Sequence, residues 1–286
     1  MKYVLFLDIL GTKGKLKSLK QKDAKTFIAE FSSTIYRSWI DRGYENSLDG
    51  YIISDSLIVN TKNASQDSLE ALLDATVFLC RAVFSKNEAL LRGAIAKGDF
   101  DRLKAKELST LGKELIVGQA YIDAYELENS IKTSGIILSK DVHEDIKKNG
   151  VLKKDAVFSE TFGGKKSFVL SYLNIDFLED IPNLKKFILL ANEANWLPHY
   201  YNTLYFAIKG KSPKIIDQLF NDIISHIDEK TSYSHYGNFI QNAFNENVVR
   251  AFKAKFLRFI INNLKVAKQP QVVSNDSIVF PLTLIK

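Results

Sequence analysis

Two acidic residues stand where a carboxylate can do chemistry. Asp8 closes the apolar stretch Tyr3-Val4-Leu5-Phe6-Leu7 and is followed at once by Ile9-Leu10-Gly11-Thr12. Asp55 comes 47 residues later, in a tight Ser54-Asp55-Ser56 link between Tyr51-Ile52-Ile53 and Leu57-Ile58-Val59. Either acid alone is also what a strand end or a turn ordinarily carries. At the mouths of adjacent strands, the pair would aim two carboxylates into one cleft. Hard oxygen donors of that kind suit Mg²⁺ or Mn²⁺ in company with phosphate oxygens. Backbone N–H groups near Gly11 and Thr12 would add a cradle for a triphosphate. Such a site would hold a divalent cation against phosphate oxygens. Lys13, Arg92, Lys97 and Arg102 are the cations that could meet phosphate charge beside it.

The elements that must position these residues follow from periodicity. Residues 2–8 read as a strand entering a glycine-containing turn. Phe27, Ile28, Phe31, Ile35 and Trp39 recur at helical spacing within 23–41. A strand pair follows from Asp49-Gly50, with the Ser54-Asp55-Ser56 link at its tip. Ser65 is placed to cap a helix to about Ser85. Leu90–Ala96 is a strand, 117–130 a helix, 135–138 a strand, 141–148 a short helix and 167–172 a further strand. The order β-α-β-β-α-β-α-β contains a hairpin. It therefore predicts an α+β fold, a ferredoxin-like mixed sheet with helices packed on it, rather than a doubly wound sheet. After about residue 181 the pattern turns helical (182–194, 213–228 and 235–266), with Phe244, Val248, Phe252, Phe256, Phe259 and Ile260 forming a stripe. Two regions are expected: 1–180, and a mostly helical 181–286 in which Ser277–Phe280 is a strand that returns to the core.

Composition narrows the function classes. The 286 residues are 46% hydrophobic, and no apolar run approaches the roughly 18 residues of a membrane span. The first apolar stretch is interrupted by Asp8 and is too short for a signal peptide. These features predict a cytoplasmic protein with no membrane partner. The single cysteine, Cys80, forbids an internal disulfide and a multi-cysteine zinc site. His143, His199, His226 and His235 lack metal-ligand spacing and read as core or surface residues. Gly163-Gly164-Lys165-Lys166 lacks P-loop spacing and reads as a hairpin turn. Trp196 to Tyr201 reads as packing at a helix junction. The net charge of +6 resides wholly in residues 181–286, which hold 13 Lys and Arg against 7 Asp and Glu. This keeps a nucleic-acid partner open as a minor alternative.

Four blocks occur in order: FLDILGT (6–12), YIISDSLIV (51–59), LLRGAIAKGD (90–99) and VGQAYIDAYELE (117–128). Over roughly residues 1–175 they resemble the catalytic domain of class III nucleotidyl cyclases. In their variant details they resemble the bacterial Pycsar pyrimidine cyclases of anti-phage defence. The resemblance implies that Asp8 and Asp55 bind two Mn²⁺ or Mg²⁺ ions and that the Ile9 carbonyl completes a metal site. Leu10, Gly11 and Thr12 would touch the triphosphate, and Tyr51 would occupy the base-reading position. Arg92 matches an arginine that is usually structural. The resemblance also implies a homodimer with sites at its interface, conversion of UTP or CTP to a 3′,5′-cyclic nucleotide, and a separate effector protein that binds the product. Departures are equally specific. Ser54 stands where a glycine is usual, Leu115 where an adenine-reading acid is, Ile122 where a ribose-orienting asparagine is, and Glu126 where a transition-state arginine is. Two readings remain open at this point: an enzyme for a one-ring base, or a catalytically silent nucleotide-sensing domain.

Overall fold

The computed structural model describes residues 1–87, 89–103, 115–151, 156–162, 165–173, 199, 202–203, 206–207, 271–274 and 277–279. The chain forms two compact units, Met1–Tyr172 and Leu173–Lys286.

The first unit runs β1 (Lys2–Ile9), α1 (Thr12–Ser18), α2 (Gln21–Asp41), a 3-10 turn (Tyr44–Asn46), β2 (Leu48–Ile53), β3 (Ser56–Thr61), α3 (Gln66–Asn87) and β4 (Leu91–Gly98). It continues with β5 (Asp101–Leu103), β6 (Leu115–Val117), α4 (Gln119–Glu128), β7 (Ile136–Leu138), α5 (Lys140–Asn149), β8 (Val157–Phe162) and β9 (Lys165–Leu170). Seven strands form one sheet in the order β2-β3-β1-β4-β7-β9-β8. The first four pair antiparallel, and β4 with β7 is parallel. The strands are therefore in the ferredoxin-like order that the β-α-β-β-α-β run predicts, and the sheet is mixed.

Strand alternation divides the side chains of β1 between two faces. Leu5 and Leu7 lie on one face with Val59 and Leu57, all essentially inaccessible to solvent. α3 packs against β1 and β3 there, through a buried stripe of Leu69, Leu72, Leu79 and Val83. Ser65 caps α3 as expected, its Oγ accepting from the Ser68 N–H at 3.2 Å. Val4, Phe6 and Asp8 point to the other face, where α4 lies. Val4, Phe6, Ile58, Ala96 and Phe100 bury Ala120 and Ala124 of α4 in one cluster. Alanines on both sides let the helix sit close to the sheet.

The helix expected from residue 117 begins instead at Gln119, because Val117 is taken into the β5–β6 hairpin. Gly118 makes the change of direction with φ +145°, and a Cβ there would lie 2.2 Å from the Asp99 carbonyl oxygen. Gly163-Gly164 falls outside the described residues, but the pairing of Phe162 with Lys165 makes β8 and β9 the hairpin expected around it. α1 and the β5–β6 hairpin are additions to the sequence-based order. Residues 12–18 offer one large apolar side chain, Leu16, and so no readable period.

In the second unit His199, Asn202, Thr203, Phe206 and Ala207 are helical, and the Thr203 hydroxyl donates to the His199 carbonyl at 2.7 Å. The strands β10 (Gln271–Ser274) and β11 (Ser277–Val279) pair antiparallel as a separate two-stranded sheet. Ser277–Val279 is a strand, as expected for that segment. The helices expected over 182–194, 213–228 and 235–266, and the greater part of 196–201, lie outside the described residues.

Candidate functional site

Asp8 is the penultimate residue of β1 and is centred between Ser56 of β3 and Arg92 of β4, its register partners on either side. Residues directly opposite in antiparallel strands share a face, so the three side chains meet. The Ser56 hydroxyl donates to Asp8 Oδ1 at 3.1 Å, and Arg92 Nη2 lies 3.4 Å from Asp8 Oδ2. Asp55 sits in the two-residue turn joining β2 to β3, where Ile53 pairs with Ser56. That turn is tied to β1 by the main chain, the Ile9 N–H donating to the Asp55 carbonyl at 3.2 Å. Burial raises the Asp8 pKa, and the negative charge of Asp55 raises it further, against the lowering effect of Arg92 and Ser56. The two carboxylates therefore share one electrostatic environment, a half-buried place in which a divalent cation would relieve their repulsion.

Ser54 is the one described non-glycine residue with positive φ, at 57°. Positive φ at the first residue of a two-residue hairpin turn is where glycine is the ordinary occupant. Ser54 adopts the same backbone without it.

After β1 the chain turns through Leu10 and Gly11, the latter at φ +79°. The Leu10 N–H donates to the Leu90 carbonyl at 2.8 Å, and the buried Thr12 hydroxyl donates to the Ile9 carbonyl at 3.1 Å. Leu10 and Thr12 are buried, so a ligand at this turn would meet main chain there. Lys13, at the start of α1, is exposed. The donors available to a metal are then two carboxylates and the Ile9 carbonyl, which spends one lone pair on Thr12. All are hard oxygens, and the set fits Mg²⁺ or Mn²⁺ whose remaining positions are filled by water and phosphate oxygens. Among the described residues no group of three or more His, Cys, Asp or Glu side chains could hold a metal by itself.

The remaining expected residues divide. Tyr51 pairs with Ile58 and so shares the Asp8 face. It packs half-buried beside the Phe6 cluster, with the Arg102 guanidinium 4.9 Å from its ring centroid. Arg92 is on the Asp8 face, but its Nε lies 2.5 Å from Glu128 Oε1, an ion pair out of line for a hydrogen bond. Lys97 is not brought to the site. It points from the opposite face of β4, where its Nζ meets Asp145 Oδ2 of α5 at 2.6 Å and the Tyr3 hydroxyl donates to the same oxygen at 2.8 Å. Lys97 comes five positions after Arg92, and an odd step along a strand changes face. On α4, Ile122 is 47% exposed and Glu126 is also exposed, one turn apart.

Glu128 is the residue that sequence reasoning overlooks. It ends α4, is 2% exposed, and its pKa is pushed up to about 7 by burial; Arg92 opposes the rise and Asp8 adds to it. A signal was present: Ala120, Ala124 and Glu128 recur every four residues, placing an acid on the buried stripe of the helix. His143 is a core residue, its ring stacked on Phe168 at 3.7 Å, and Cys80 is fully buried, which pushes its thiol pKa up.

Among the described residues no helix is long and apolar enough to cross a membrane. No protein-family model and no curated protein matches the sequence. Among solved structures, the chain is similar to the adenylyl cyclase CyaB from P. aeruginosa, at 14% identity and a TM-score of 0.45, over 59% of this chain and 92% of that one. The guanylyl cyclase Cya2 matches at 12% identity and a TM-score of 0.45, over 59% and 91%. The guanylate cyclase domain of RhGC from Catenaria anguillulae, in complex with GTP, matches at 14% identity and a TM-score of 0.44, over 59% and 94%.

Proposed function

We propose that this chain is a nucleotidyl cyclase that converts UTP or CTP to its 3′,5′-cyclic nucleotide and pyrophosphate, as the bacterial pyrimidine cyclases of anti-phage defence do. The observation that carries the proposal is the placing of Asp8 and Asp55 on neighbouring segments joined by the Ile9–Asp55 main-chain bond, with the glycine turn beside them. Two Mn²⁺ or Mg²⁺ ions held by Asp8, Asp55 and the Ile9 carbonyl would supply activation of the ribose 3′-hydroxyl and neutralisation of the triphosphate. Main-chain groups of Leu10, Gly11 and Thr12 would orient the phosphates. Lys13, exposed beside them, and Arg102, over the Tyr51 ring, are the candidate cations left once Arg92 and Lys97 are committed to ion pairs. Tyr51, with one hydroxyl and a ring that fills space, favours a one-ring base over a purine.

A second copy of the chain completes the proposed site. Ile53, Leu103, Leu115, Val117, Ile122 and Tyr125 are large apolar residues at least 43% exposed, carried by the β2 end, the β5–β6 hairpin and α4. A homodimer would cover them. The cyclic product would pass to a separate effector protein.

The second reading, a catalytically silent nucleotide-sensing domain, draws on the occupied state of Arg92 and on Ile122 and Glu126 at the exposed positions of α4. One assay separates the two. Purified protein is incubated with Mn²⁺ and each of the four nucleoside triphosphates, and the products are resolved. Cyclic UMP or CMP, lost in Asp8→Ala with the fold intact, supports the enzyme. Nucleotide binding without turnover supports the silent domain. Cyclic AMP or GMP as the main product overturns the pyrimidine assignment.

A further inference from the structure

Arg92 presents a difficulty for a metal site at Asp8. It stands directly opposite Asp8 on the neighbouring strand, on the same face, with its guanidinium within 3.4 Å. A full-strength arginine there would occupy the carboxylate and repel a cation. The structure contains the counterweight. Glu128, delivered from the far end of α4 into the protein interior, meets the other side of the same guanidinium at 2.5 Å.

From this geometry we infer that Glu128 is a positioning residue of the metal site: it draws the Arg92 guanidinium away from Asp8 and cancels its charge, leaving Asp8 able to take up a divalent cation. The inference rests on the metal reading of Asp8 and Asp55 given above. With Glu128 ionised, the group Asp8–Arg92–Glu128 carries one net negative charge. With a neutral side chain at 128 it carries none, and Arg92 has Asp8 as its sole acidic partner within the group. Removal of both Arg92 and Glu128 restores the single negative charge by another route. The single and double variants therefore move metal affinity in different directions, which a purely structural ion pair would not do.

The test is Mn²⁺ binding to the full chain at pH 8 without nucleotide, read as loss of the free Mn²⁺ signal by electron paramagnetic resonance. Circular dichroism checks the fold of each variant. Wild-type binding that Asp8→Asn removes is expected. Its absence overturns the metal reading, and the role of Glu128 with it. Given that binding, Glu128→Gln is expected to weaken it about tenfold, the scale of one screened charge contact. The double variant Arg92→Met/Glu128→Met, an apolar replacement of the kind buried pairs tolerate, is expected to bind at least as tightly as wild type. Unchanged affinity in Glu128→Gln overturns the role of Glu128 alone. So does a folded double variant that binds as weakly as Glu128→Gln. Should Glu128→Gln fail to fold, the double variant decides: affinity at or above wild type supports the inference, and weaker binding overturns it.

Discussion

Glu128→Gln should make the metal-free protein more stable at pH 8, although it removes one member of an ion pair. The side chain is almost wholly buried, and burial outweighs Arg92 in setting its pKa, which rises from 4.5 to about 7. A carboxyl with a raised folded-state pKa favours the folded state when protonated. Its contribution is complete below the unfolded value near 4.5 and is lost as pH climbs through about 7. At about 1.4 kcal/mol for each tenfold, the loss amounts to about 3 kcal/mol. Glutamine is nearly isosteric and stays neutral, so it mimics the protonated acid at every pH. Urea denaturation followed by circular dichroism, with chelator present, would give the unfolding free energies of both proteins between pH 4.5 and 8. The two should coincide at the acid end and diverge to about 3 kcal/mol in favour of the variant at the alkaline end. Titrating groups outside the Asp8–Arg92–Glu128 group cancel in the difference. A gap that stays flat within about 1 kcal/mol, or that opens in favour of wild type, would refute the statement that burial dominates at this residue.

Three further outcomes are expected of the same molecule. Ser54→Gly should stabilise the protein by about 0.5 kcal/mol, because relief of a left-handed residue, about 1–2 kcal/mol, exceeds the extra chain entropy of glycine; chemical denaturation measures it. Gly118→Ala should cost more than about 2 kcal/mol, since the new Cβ would collide with the Asp99 carbonyl at a backbone angle that alanine avoids; a fall of several degrees in melting temperature reports it. Val117→Lys, on an exposed strand opposite Asp101, should leave the unfolding free energy of the dilute monomer within about 0.5 kcal/mol of wild type while weakening the proposed dimer in light scattering and with it the proposed cyclase turnover.

Much of this arrangement was readable in advance for a physical reason. Strands β1, β3 and β4 are apolar runs bounded by turn residues, and α2 and α3 carry apolar residues at unbroken helical spacing. Local pattern and final environment agree in these elements. Asp8 and Asp55 stand out as candidates because each interrupts such a pattern at its end. What escaped is what tertiary contact decides. The β5–β6 hairpin is six described residues with little alternation, held by its pairing and by the turn at Gly118. The opposite fates of Arg92 and Lys97 follow from strand parity together with partners that lie far along the chain, Glu128 and Asp145. Glu128 itself was concealed by its chemistry. An acid at the foot of a helix looks solvated until the alanines above it are seen to face inward.

The bond from the Ile9 amide to the Asp55 carbonyl has an evolutionary corollary. That bond ties the two acid-bearing segments through backbone, so side chains around them can change with the tie undisturbed. Lengthening is the change this arrangement resists. One extra residue inserted between Ile53 and Ser56 would slide the tip off its anchor and separate two groups that no point substitution nearby would part.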